Sequence, residues 1–149
     1  MAISTGVYAN FLKHLGTASV NWAATDTIKC ILMKAAHTPD FGAHDYLNDV
    51  EADKVPSTDQ ELAAASRTIT ITVASSYVDF GGVTVITFPL VAAAESAGGV
   101  IVYKARGGLS SADELICCLA FSVAKTTTGA DVVVNFNAAG QIRFIYTGA

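Results

Sequence analysis

The most regular pattern in the chain is the alternation in residues 67–74, RTITITVA. Ile69, Ile71 and Val73 fall on one side, and Thr68, Thr70 and Thr72 on the other. Period two in β-branched residues predicts a strand with one buried and one open face. Residues 26–36, DTIKCILMKAA, alternate too, with Ile28, Cys30 and Leu32 opposite Lys29, Ile31 and Met33. Apolar residues on both sides predict a strand covered on one face and partly on the other. Residues 114–126, ELICCLAFSVAKT, set Ile116, Cys118 and Ala120 against Leu115, Cys117, Leu119 and Phe121, which predicts a central strand.

Further strands follow at residues 98–105, 131–137 and 141–147. The last two flank Ala-Ala-Gly and read as a closing hairpin. Residues 75–90 read as a strand pair or one bent strand, with Gly81-Gly82 as turn or bulge. Near the start, Val7, Phe11 and Leu15 recur at helical spacing, as do Tyr8 and Leu12, and Gly16 can end that helix. About eight strands with turns between them, and no crossover helix among the later ones, predict a mainly β protein. The expected architecture is an antiparallel, jelly-roll-like β-sandwich with one or two short helices, in which Ile69, Ile71, Val73, Val100, Val102, Val132 and Val134 share the core. One domain spans residues 1–149, with residues 1–24 as a candidate N-terminal arm.

Composition sharpens this. Hydrophobic residues make up 52% and charged residues 15% of the 149 positions, so the chain can bury a core and has little polar material to cover its surface. Thirteen acids oppose nine bases, which lie scattered singly from Lys13 to Arg143. Without a basic stripe to neutralise phosphates, nucleic acid is not an expected partner. Nor is a membrane, because the longest apolar run, residues 83–94, is broken by Thr84, Thr87 and Pro89 and is too short to span a bilayer. The N-terminal residues lack a basic start followed by an apolar run, so no targeting segment is expected. Three cysteines, Cys30, Cys117 and Cys118, are odd in number and two are adjacent, which predicts reduced, buried thiols and synthesis in a reducing cytosol.

Residues 35–52, AAHTPDFGAHDYLNDVEA, concentrate the polar chemistry. His37, Asp40, His44, Asp45 and Asp49 are metal-ligand types, but the histidines lie seven apart across a proline loop, and the acids do not follow the calcium-loop series. The expectation is no metal and no cofactor. Pro39 and Gly42 break the preceding strand, and residues 44–52 place Tyr46, Leu47 and Val50 at helical spacing, with His44 or Asp45 as the cap. This apolar side should dock on the sheet and turn Asp40, His44, Asp45, Asp49 and Glu51 outward as a candidate assembly surface. Residues 53–66 read as loop.

Other chemistry is weaker. Cys117 and Cys118 sit in an apolar strand and point to opposite faces, so they cannot act together as a nucleophilic site. The glycine pairs at 81–82, 98–99 and 107–108 match no phosphate-cradling loop, and Ser75-Ser76 and Ser110-Ser111 lack a hydrolase elbow. Trp22 with Tyr8, Phe11 and Tyr46 offers a sugar platform, although a lone tryptophan near a strand start is usually a core anchor. The chain is not expected to be an enzyme or to take a small-molecule substrate.

The sequence TDTIKCILM followed by HTPDFGAHDYLNDVEADKVPST resembles small virion proteins of tailed bacteriophages. In that family a Thr-Asp-Thr-Ile/Phe-Lys strand leads into a Thr-Pro loop, an acidic His-Asp-Tyr-x-x-Asp-Val segment and a Ser-Thr/Gly turn. The matching residues are 25–33, 38–39, 44–50 and 55–58, with weaker echoes at 99–105 and 133–144. The chain departs from the pattern at DQELAAAS, where relatives carry a glycine-rich link, and in its unusually apolar ELICCLAF strand. The resemblance implies a capsid decoration (cement) or other head-associated protein. Such a protein would be made in the host cytoplasm and carried on the virion capsid surface, with the major capsid protein as partner and a homo-oligomer as its state. The rivals are a tail or neck component, and a β-sandwich carbohydrate-binding module on the virion surface.

Overall fold

The computed structural model describes residues 3–23, 25–56, 59–72, 77–137 and 141–145, without the side chains of residues 71, 72, 77 and 145. In chain order the strands are β1 (Gly6–Val7), β2 (Thr27–Lys34), β3 (Gln60–Glu61), β4 (Thr68–Thr72), β5 (Tyr77–Gly81), β6 (Val85–Phe88), β7 (Ser96–Ala105), β8 (Leu115–Thr126), β9 (Val132–Asn135) and β10 (Ile142–Ile145). One α-helix, α1 (Ala9–Gly16), lies between β1 and β2, and short 3-10 turns punctuate the loops. The fold is mostly β and antiparallel. It comprises a five-stranded sheet ordered β1-β8-β7-β2-β3, a three-stranded sheet ordered β10-β5-β4 and a β6-β9 pair.

The apolar runs in β2, β7 and β8 exist because both faces of the large sheet are covered. One row across it is Cys30–Val102–Cys117, and the next is Ile31–Ile101–Cys118. The first row points into a core shared with Phe11, Trp22, Phe80, Ile86, Phe88, Val134 and Ile142, so it packs against α1 and residues of both smaller sheets. The second row points the other way, into a core with Tyr8, Leu47 and Val50. All six row residues are fully buried.

A bulge sets these faces. Val102 pairs with Cys117 but Tyr103 with Leu115, which leaves Ile116 as the extra residue. Ile116 and Cys117 therefore enter the same core, while Leu115 and Cys118 enter the other. Simple alternation had grouped Ile116 with Cys118, and the bulge overturns that grouping. A second irregularity lets residues 121–124 of β8 leave the ladder with β7, since Gly99 pairs with Ala120 and Ala97 with Lys125.

Two further expectations are corrected. Residues 131–137 and 141–147 do not form a hairpin: β9 pairs with β6, and β10 with β5. These distant partners place Val134 beside Ile86 and Ile142 beside Phe80, giving each strand a buried apolar neighbour across the ladder. Likewise β5 and β6 belong to different sheets. Between them Gly82 has φ +98°, and a Cβ there would lie 1.9 Å from the Ser66 carbonyl oxygen, so only glycine fits.

Of the expected core, Val100, Val102 and Val134 are buried, and Val132 is partly buried against the same cluster. Ile69 is 44% exposed, because it faces the core side of its sheet but sits on the edge strand with no strand beyond it among the described residues. The Ile71 side chain and Val73 lie outside the described residues. Residues 3–23, most of the candidate N-terminal arm, contribute β1, α1 and the buried Tyr8, Phe11 and Trp22.

We predict that Leu32→Ala, deep in the first core, costs about 2–5 kcal/mol, whereas Ile69→Ala costs about 1 kcal/mol or less. Urea denaturation of dilute protein measures both. Equal losses at the two positions would mean that the edge placement of Ile69 is wrong.

Candidate functional site

The polar segment at residues 35–56 forms the cover over the second core. It leaves β2 after Lys34 and returns beside the same strand, where Lys54 bridges Met33 and the Val55 N–H donates to the Leu32 carbonyl at 2.9 Å. In between it crosses that face toward the β1–β8 end of the sheet. The Phe41 ring packs tilted against Tyr8, centroids 5.3 Å apart, and its carbonyl accepts from the Ala9 N–H at 2.8 Å. A Cβ at Gly6 would lie 2.6 Å from the Phe41 ring, so glycine in β1 lets that ring sit down. Tyr46 bridges Glu114, and the Leu115 N–H donates to the Asp45 carbonyl at 2.9 Å. Leu47 and Val50 are buried under this lid and Tyr46 is half-buried, so the expected apolar docking side is present.

The segment is two 3-10 turns, Leu47–Asp49 and Glu51–Asp53. The cap comes from within. The Asp49 Oδ2 accepts from the Asp45 N–H at 2.8 Å and the Tyr46 N–H at 3.0 Å. His44 or Asp45 was expected in that role. His44 instead accepts at Nδ1 from the Asp40 N–H, and Asp45 accepts from the Asn10 side chain. The Tyr46 N–H bond, helped by that of Asp45 and by His44 and opposed by desolvation, holds the Asp49 carboxyl below its ordinary value.

The five candidate surface residues differ in how freely they face solvent. Asp40, Asp49 and Glu51 are exposed, and His44 and Asp45 are half-buried. Asp40 closes its own turn through the Gly42 and Ala43 N–H groups, both at 3.0 Å. Glu51 accepts from the Ser110 hydroxyl at 2.9 Å, which ties the lid to the β7–β8 loop. His37 is buried, with Nδ1 2.9 Å from Asp53, and its ring stacks 6.2 Å from that of His44. Among the described residues no three His, Cys, Asp or Glu side chains converge as a metal would need.

The proposed sugar platform is not assembled. Trp22 and Phe11 are buried in the first core and Tyr8 in the second, so none of the three offers a face to a ligand. Trp22 packs edge-on against Phe80 at 6.0 Å as a core anchor. The cysteines are free and buried. Burial pushes the Cys118 thiol up to about 12 and raises those of Cys30 and Cys117 as well, so the reactive thiolate is disfavoured at all three. Ser75 and Ser76 lie outside the described residues.

A polar cluster that the sequence reading missed lies at the far end of β7. Lys104 pairs with Asp26 at 2.8 Å and also donates to the Ser19 carbonyl. Arg106 forks onto the buried Glu114, and its backbone N–H donates to Asp113 at 2.7 Å. Burial works to raise the Asp26 carboxyl, but Lys104, the Asn21 N–H and Arg106 together hold it low. These groups answer one another and bind Ser19 and Asp26 to the sheet, an arrangement that suits anchoring more than catalysis. The signal was available: Lys104 ends an apolar run that has no other charge.

We predict that Asp49→Ala costs about 1 kcal/mol at neutral pH, the value of a lost cap. Because the folded carboxyl titrates below its ordinary 3.8, its contribution is full above 3.8 and is lost as pH falls through the lower folded value. The gap between wild type and variant in thermal melts should therefore close in strong acid. A gap independent of pH would show that the carboxylate is not the cap.

Comparison with known protein families finds no family model that matches this chain, and comparison with curated proteins and with solved structures finds no match either.

Proposed function

We propose that this chain is a non-enzymatic structural protein of a tailed-bacteriophage virion, a capsid decoration protein that binds the assembled shell of the major capsid protein and stabilises it. The observation that carries the reading is a coincidence of place. The residues that resemble small phage virion proteins, 25–58, supply a central strand and the lid over the second core (Ser57 and Thr58 lie outside the described residues). That lid turns outward Asp40, Asp49 and Glu51, three of the five exposed acids among the described residues. In this reading the acids choose where the protein sits on the shell more than how tightly. Repetition over the shell supplies avidity without strong single contacts.

In the same reading the large sheet and the two smaller ones form the layers of a jelly-roll-like sandwich. The first core, to which all three sheets contribute, supports that arrangement. Placement at the tail or neck is the main rival. A sugar-binding module is less favoured because Trp22, Tyr8 and Phe11 are buried.

The test is binding of purified protein to shells assembled from the major capsid protein of the same phage, followed by co-sedimentation over a range of salt. Wild type should decorate the shell in many copies. The triple change Asp40→Asn, Asp49→Asn and Glu51→Gln keeps the hydrogen-bond acceptors and removes the charge. It should fold normally, alter occupancy and flatten the salt dependence. Binding only to isolated neck or tail assemblies would place the protein there instead, and no binding to any virion component would end the reading.

A further inference from the structure

We propose that β4 is the self-association edge of this protein, and that its occupant is β4 of a second copy, paired antiparallel about a two-fold axis through Thr70. Three independent observations meet on this strand. The first is an open ladder. The order β10-β5-β4 leaves no strand beyond β4 among the described residues, although edge strands are normally blunted by charge, proline or brevity. β1 and β3 have two residues each, and β10 carries Arg143 at its second position. β6 and β9, four residues each, are uncharged edges too, and β4 is longer than either, five residues with no charge and no proline.

The second observation is an incomplete row. Ile142 pairs with Phe80, and Phe80 with Ile69, so the three side chains share the core face of the sheet. Their exposures are 3%, 7% and 44% in that order. Ile69 thus points where a core residue points but lacks the neighbour that a further strand would supply. Thr68 and Thr70 are exposed as well.

The third observation lies in the sequence and selects the occupant. Thr68–Thr72 reads TITIT, the same in both directions. A two-fold interface requires that if residue i meets residue j, then j meets i. An antiparallel pair centred on Thr70 sets Thr70 against its own copy, Ile69 against Ile71 of the second copy, and Thr68 against Thr72. Every cross-strand pair is then β-branched with its own kind, the pairing that sheets favour, and no like charges oppose. The result is a continuous six-stranded sheet across two chains, with the exposed flank of Ile69 covered.

The proposal does not rest on the capsid reading, because purified chain alone tests it. Sedimentation velocity across a concentration series should show a monomer–dimer equilibrium for wild type. Thr70→Lys places two ammonium groups face to face at the axis and should raise the dimer dissociation constant about tenfold or more. Val133→Lys, on a different exposed strand, should leave it unchanged. Thr70→Cys supplies a second readout that survives if the lysine variant fails to fold. Opposed residues of an antiparallel pair have Cα atoms about 4.5–5.5 Å apart, within disulfide range, and the native thiols are buried. Mild oxidation should therefore yield a covalent dimer. A wild type that stays monomeric at high concentration would leave the edge to a strand of another protein and overturn self-pairing. A dimer that persists in Thr70→Lys while Thr70→Cys fails to cross-link would overturn the interface.

Discussion

The structure depends on a sheet whose central strands must be covered twice. Rows such as Ile31–Ile101–Cys118 and Cys30–Val102–Cys117 carry apolar side chains to opposite faces, and neither face can be left to water. One face takes α1 together with residues of the two smaller sheets, and the other takes the lid of residues 35–56. Most of the odd local features serve this demand. Gly6 clears room for Phe41, and the bulge at Ile116 resets which side each cysteine enters. Leu47 and Val50 close the second core from outside.

Charge is scarce, and much of it among the described residues is committed to joining segments. Asp26 with Lys104, and Arg106 with Glu114, fasten Ser19, Asp26 and the β7–β8 loop to the end of the large sheet. Arg143 forks onto Asp79 across the β10–β5 pair, and this holds the Asp79 carboxyl below its ordinary value. Lys54 and the Tyr103 hydroxyl both reach Asp59, at 2.6 and 2.9 Å, beside β3. The lid stands out against this background because it carries three of the five exposed acids among the described residues, Asp40, Asp49 and Glu51, the others being Glu61 and Asp131.

How much of this was legible follows from the range of each interaction. The strands β2, β7 and β8 could be read from periodicity, because a strand covered on two faces writes a continuous apolar run. The docking of Leu47 and Val50 was legible from a different period, their spacing on one side of a helical turn. The partners of β9 and β10 were not. Adjacency and the Ala-Ala-Gly turn argued for a hairpin, yet burial beside Ile86 and Phe80 joined each strand to a distant one. A bulge leaves no mark in a run such as Leu-Ile-Cys-Cys-Leu, where every residue is apolar, so the face assignment around Ile116 could not be read. At Asp49 the local rule was sound but the acceptor was misplaced: the cap reaches back from inside the turn, and either direction fits the same composition. Ile69 shows the reverse case, in which a perfect pattern named the right face but could not say that the sheet would end there.

The adjacency of Cys117 and Cys118 has a consequence for dynamics. Neighbours in the chain, they open into different cores, one roofed by α1 and the smaller sheets and the other by the lid. Cys30 and Cys117 sit two strands apart in one row, about 10 Å, too far to be bridged. Each thiol therefore stays an independent sentinel. Partial detachment of the lid would bare Cys118 while Cys117 stays sealed, and separation of the smaller sheets would do the opposite. The rates at which the two sulfurs meet a reagent under native conditions would resolve the molecule's breathing into two motions, each with its own free energy of opening.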